Sequence, residues 1–154
     1  CFGVLLPGGR VRIVWCPLGW GRIPMSLLKY WRRYGPAYAE EAITVGAIDM
    51  PYADVAYDRR AFFSSFGPCV DIFAPGYAIT SAFGQSDTMN ATISGTSQAT
   101  PHVTGAAALL LAKDSSLSPS DIAKHLVASA TSGQIADVGP GSKDLLLYTN
   151  PTKR

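Results

Sequence analysis

One run of twelve residues limits what this chain can become more than any other feature: Ser94-Gly95-Thr96-Ser97-Gln98-Ala99-Thr100-Pro101-His102-Val103-Thr104-Gly105, passing directly into Ala106-Ala107-Ala108-Leu109-Leu110-Leu111. A tight polar turn opens into a small-residue, apolar stretch, which predicts a helix from Ser97 to about Lys113. That stretch is apolar almost all round, as befits a helix buried under a sheet. Gly95 is expected to allow a sharp bend and the close passage of another chain. Thr96 is expected to cap the helix, its hydroxyl accepting from a first-turn amide. Ser97 then sits where free amides and the positive end of the helix dipole favour a developing oxyanion. Pro101 deprives the Ser97 carbonyl of its usual donor and predicts a slight kink. A serine so placed reads either as a nucleophile or as an ordinary residue at the start of a buried helix.

The rest of the chain supplies strands and one more helix. Ala42–Asp49 is a β-rich run ending in a turn, and Cys69–Ala74 a second, ended by Pro75-Gly76. Tyr77–Phe83 and Thr88–Ile93 read as two short strands around the polar turn Gly84-Gln85-Ser86-Asp87. Ser118-Pro119 starts a helix with serine as cap and proline in the first position, and Ile122, Leu126 and Val127 give that helix a one-sided apolar face. Asn90-Ala91-Thr92 is a glycosylation triplet, which makes Asn90 a candidate acceptor.

The positions Gly95-Thr96-Ser97, Ala99, Thr100-Pro101-His102-Val103 and Gly105 resemble the nucleophile signature of the subtilases, Gly-Thr-Ser-x-Ala-[Ser/Thr]-Pro-His-Val-x-Gly, and the surrounding chain looks most like the proteinase K-like branch. Thr44-Val45-Gly46-Ala47, Asp58–Gly67, Val70–Gly76 and Lys143–Asn150 resemble further segments of that family, so the resemblance covers about 36–154. It implies a serine endopeptidase that hydrolyses peptide bonds through an acyl-enzyme on Ser97, with the backbone N–H of Ser97 as one arm of the oxyanion hole. It implies an α/β fold of which a parallel-sheet remnant and the buried central helix are present, the parent fold having helices on both faces. It implies a secreted monomer acting on polypeptides, with no nucleic-acid or membrane partner. No cofactor is required. A structural calcium is implied at Asp71, with backbone carbonyls at Glu40 and Ala42.

A serine nucleophile needs a base, and the base needs an orienting carboxylate. The chain has two histidines. His102 follows Ser97 by five residues on one helix, about 140° round the axis and about 7.5 Å along it, and is expected to point elsewhere as a packing residue. His125 lies mid-helix between a solvent-type and a core-type neighbour, a poor setting for a base. The family's Asp and His motifs have no counterpart in residues 1–96, nor has its oxyanion asparagine, so the chain reads as a subtilase portion lacking the triad Asp and His. The alternative is a catalytically dead subtilase remnant or interaction protein. An α/β-hydrolase is excluded, because Gly95-Thr96-Ser97-Gln98-Ala99 has alanine where the nucleophile elbow wants glycine.

Charge divides the chain. Residues 1–36 hold six basic residues and no acidic one, whereas 37–154 hold seven basic and eleven acidic. Residues 1–35 have no clean period and frequent Gly/Pro punctuation, and they read as a basic segment foreign to the fold, with a short amphipathic helix over 25–33. Six charges without a fold do not define a nucleic-acid or membrane surface, the opening apolar stretches read as too short and badly flanked for a signal peptide, and no apolar run is near the roughly 20 residues of a membrane span. Three cysteines make no disulfide framework, and the resemblance makes Cys69 one half of a lost bridge. A greasy helix without its full sheet predicts low solubility.

Overall fold

The computed structural model describes residues 2–5, 12–15, 42–49 and 58–149 of the chain, the first two as strand backbone. Strand β3 (Ala42–Asp49) is the spine. Its Ile43, Val45 and Ala47 point into one apolar cluster and its Ile48 into another, so the strand is buried on both faces. A near-continuous apolar, β-branched run is what such a central strand requires. β5 (Ile72–Pro75) pairs parallel with it, from Val45 opposite Ile72 to Ile48 opposite Pro75. β10 (Leu145–Leu146) pairs parallel with β5, Leu146 opposite Phe73.

Antiparallel strands flank this parallel core. β1 (Phe2–Leu5) pairs with β3 on one side and with β2 (Arg12–Trp15) on the other. Both come from the segment that the sequence set apart, and the remainder of that segment, with the helix expected at 25–33, lies outside the described residues. β4 (Asp58–Arg60) pairs antiparallel with β3 and parallel with β9 (Ile135–Ala136), and β8 (Thr131–Ser132) antiparallel with β10. A separate two-stranded sheet joins β6 (Ile79–Ala82) to β7 (Asn90–Ile93).

Helix α1 (Thr96–Lys113) buries Ala99, Thr100, Val103, Ala106 and Ala107 against β3 and β5. Helix α2 (Pro119–Ser129) adds Ile122 and Leu126 to the same cluster. Both helices lie on one face of the sheet, and the other is covered by Val70, Ile135, Val138 and Leu146 around Phe73. One expectation is corrected here: α1 is not enclosed all round, since Leu109 is 59% exposed and Gly105, Ala108 and Ala112 share the open side.

Candidate active site

The turn before α1 is held by the carboxyl ends of the parallel strands. Gly76, directly after β5, donates its N–H to the Ile48 carbonyl at 3.1 Å and accepts from the Gly95 N–H at 2.8 Å. A β-carbon on Gly76 would lie 2.6 Å from the Ala47 Cβ and 2.8 Å from the Gly95 carbonyl oxygen. Glycine is therefore needed here for close approach. Its φ is not positive. Gly95 is also unlike its expectation: at φ 165° and ψ 163° it is extended backbone, and it, not Thr96, is the helix N-cap. No side chain caps this end. Thr96 is instead the first helical residue, and its carbonyl accepts from the Thr100 hydroxyl at 2.9 Å.

That uncapped end has a chemical consequence. The first amides of a helix have no acceptor within it. The carbonyl of Gly95 takes the N–H groups of Gln98 and Ala99, at 3.0 and 3.3 Å, while those of Thr96 and Ser97 have no acceptor in the helix. Ser97 is half-buried, and its Oγ has no hydrogen-bond partner among the described residues. It opens into a cleft of about 510 Å³ whose far wall is the β6–β7 hairpin, through Ile79, Ala82, Phe83 and Ile93. The hairpin is tied to the nucleophile turn by the Ala78 N–H donating to Ser94 Oγ at 2.8 Å, and its strands are linked by the Thr80 and Thr92 hydroxyls at 2.7 Å. The wall was legible as two strands with a turn between them. Its role was not, because nothing local says which way a free-standing hairpin leans.

His102 borders the same cleft, which corrects the expectation that it points elsewhere. Ser97, Gln98, Pro101 and His102 fall at about 0°, 100°, 40° and 140° round the axis. The hairpin faces the middle of this arc, so both of its ends are lining residues. His102 is nonetheless exposed and committed: its Nδ1 donates to the Gln98 carbonyl at 2.9 Å. His125 lies in a shallow hollow with Leu117, Asp121, Lys124 and Ala128, apart from the Ser97 cleft. Neither histidine is hydrogen-bonded to Ser97.

Asp71 stands just before β5. Its Oδ2 accepts from the Thr44 N–H at 3.0 Å, and its Oδ1 is 3.4 Å from the Lys143 ammonium. No group of three His, Cys, Asp or Glu able to hold a metal occurs among the described residues. One carboxylate facing an ammonium does not fit calcium, which takes six to eight oxygens, and Glu40 lies outside the described residues. Asn90 is exposed at the start of β7, and Cys69 is an exposed free thiol. Among the described residues no helix is long and apolar enough to cross a membrane.

A hydroxyl at the bare amino end of a helix, seated where parallel strands end and facing an apolar-walled cleft, defines an α/β domain arranged around a serine. Open α/β sheets place their ligands at that end of the strands. The chain belongs to the subtilase family, a family of serine peptidases, whose sequence profile matches residues 28–144. It is 50% identical over 116 residues to an extracellular serine proteinase of Thermus sp. (strain Rt41A), covering 75% of this chain and 27% of that protein. It is 45% identical to alkaline serine exoprotease A of Vibrio alginolyticus, covering 75% of this chain and 20% of that one. Subtilisin-like serine protease Pen ch 18 of Penicillium rubens is 42% identical over 124 residues, with 75% and 24% covered. The crystal structure of a cold-adapted subtilisin-like serine proteinase superposes with a TM-score of 0.65 at 40% identity, covering 75% of this chain and 39% of that one. The chain thus spans about a quarter of the length of these curated relatives.

Proposed function

We propose that this chain carries the nucleophile of a secreted subtilisin-like serine endopeptidase. Ser97 Oγ attacks the carbonyl carbon of a peptide bond, the amine leaves, and water then releases the acyl group from Ser97. The Ser97 N–H, left without an intrahelical acceptor, is placed to donate to the oxyanion as it forms. The observation that carries this reading is the Ser97 hydroxyl, without a hydrogen-bond partner among the described residues, at an uncapped helix end inside the family motif and facing the cleft. Secretion is supported by the relative named as extracellular.

Turnover needs a base beside Ser97. His102 is bonded to its own helix and His125 lies in another hollow, so the base and its carboxylate come from outside this chain and the chain alone is inert. In subtilisin, itself a member of this family, losing the serine–histidine pair lowers turnover by roughly a millionfold. A fluorophosphonate probe tests both halves of the reading. The 154-residue chain is expected to remain unlabelled. Co-expression with the triad-bearing part of a close relative is expected to give labelling that Ser97→Ala abolishes. Labelling of the chain alone at a relative's rate would refute the claim of inertness, and labelling that persists in Ser97→Ala would refute the nucleophile.

A further inference from the structure

We propose that the ammonium of Lys143 takes the place of a bound cation at Asp71, so that the junction of β3, β5 and β10 is held together without calcium. The arrangement follows from the register of the sheet. Asp71 lies two residues before Phe73 and Lys143 three before Leu146, and Phe73 and Leu146 are partners in the parallel ladder. The Leu147 N–H closes that ladder on the Phe73 carbonyl at 2.8 Å. Pairing of β5 with β10 therefore brings the segment that carries Lys143 alongside Asp71.

The carboxylate is used on both oxygens. Oδ2 accepts from the Thr44 N–H, and the Asp71 N–H returns a bond to the Thr44 carbonyl at 2.9 Å, which sews β3 to the start of β5. Oδ1 receives Lys143. A calcium ion would need that same oxygen at 2.3–2.6 Å, and it would have to settle against a fixed positive charge. The lysine supplies the counter-charge that the carboxylate requires, and it comes from the segment that must be docked at that point. The pair is partly open to solvent, 52% exposed on the lysine side chain and 33% on the aspartate. Its contribution is accordingly that of a surface pair, enough to fix one junction and too small to stabilise the domain.

Thermal unfolding of the full chain in excess EDTA and in millimolar calcium tests the proposal, alongside Lys143→Met, Lys143→Arg and Asp71→Asn. The unaltered protein is expected to melt within about 1 °C in the two buffers, where a calcium site filled a hundredfold over its Kd would add roughly 5–10 °C. Lys143→Met is expected to lower the midpoint in EDTA by about 1–4 °C. Lys143→Arg is expected to restore it, and Asp71→Asn to remove the difference between lysine and methionine. A calcium-dependent rise in the unaltered protein that Asp71→Asn abolishes would overturn the proposal, and so would a Lys143→Met midpoint equal to that of the parent. Equilibrium dialysis with radioactive calcium decides the matter even where the melts are broad: binding above that of Asp71→Asn refutes it, and equal binding supports it.

Discussion

Two glycines near the nucleophile, Gly76 and Gly105, respond oppositely to the same substitution. At Gly76 a methyl group would meet the Ala47 Cβ and the Gly95 carbonyl, neither of which is the end of a flexible side chain. Gly76→Ala is expected to cost about 1–3 kcal/mol through overpacking, and the strand it displaces carries the turn of Ser97. Gly105 lies in the interior of α1 with nothing within 4 Å of an added β-carbon. Gly105→Ala is expected to gain about 1 kcal/mol from helix propensity alone. Urea unfolding of the two variants checks both signs, and a loss at Gly105 would mean that another surface seats against that side of α1. Such positions mark the limit of the sequence at this scale. The identity of Ser97 was legible because its motif is dense and ordered. The conformation of Gly95 was not, since glycine permits a bend without requiring one. The reason for Gly76 lay in Ala47 and Gly95, both far from it in sequence.

Among the elements, the start of α2 was legible to the residue because its signals are local. Ser118 accepts from the Asp121 N–H at 3.2 Å and donates its hydroxyl to the Asp121 carboxylate at 2.5 Å, with Pro119 in the first helical position. The Ser118 hydroxyl, above all, holds the Asp121 carboxyl below its ordinary value, and Ser116 does the same for Asp114 in the loop that leads into the helix. A carboxyl whose folded pKa is depressed contributes stability above its unfolded value, and that contribution is lost as pH falls through the folded one. The α1–α2 connection is therefore expected to weaken in acid, below the ordinary carboxylate value of 3.8. Asp58, raised by burial, acts with the opposite sign and offsets part of the loss. Urea midpoints near neutrality and at about pH 3 should fall less in Asp121→Asn than in the parent, and an equal fall would remove the cap from the account. Helix α1 was legible in extent and less so in burial. Its Thr100 and Thr104 hydroxyls turn back onto carbonyls four residues earlier, so they enter or border the core at little polar cost. The Ala and Leu residues that looked like core lie partly on the open side. The small strands β8 and β9, two residues each, carry too little pattern to be read before the sheet that pairs them is known.

At the scale of the whole molecule, exposed apolar side chains matter by where they gather. Single exposed hydrophobics are ordinary on any protein surface. Phe62, 77% exposed, is of that kind, packed edge-on against Phe63. Leu109 is different, because Ala108, Ala112 and Gly105 surround it on one open side of a helix whose other side is the core. Ile93, 42% exposed, lies in the wall of the Ser97 cleft. Two apolar surfaces thus remain uncovered in a chain that spans about a quarter of its relatives. Contiguous patches of this kind are rare on soluble monomers unless something binds there. The isolated 154-residue chain is therefore expected to bind an apolar-surface dye, to associate as concentration rises, and to unfold over a broad range. Leu109→Lys is expected to reduce dye binding and association while leaving helix content unchanged, since lysine is as good a helix former as leucine and the position is 59% exposed. A sharp, concentration-independent melt without dye binding would instead make this surface that of a self-sufficient domain, and the cleft beside Ser97 would then have to be complete as it stands.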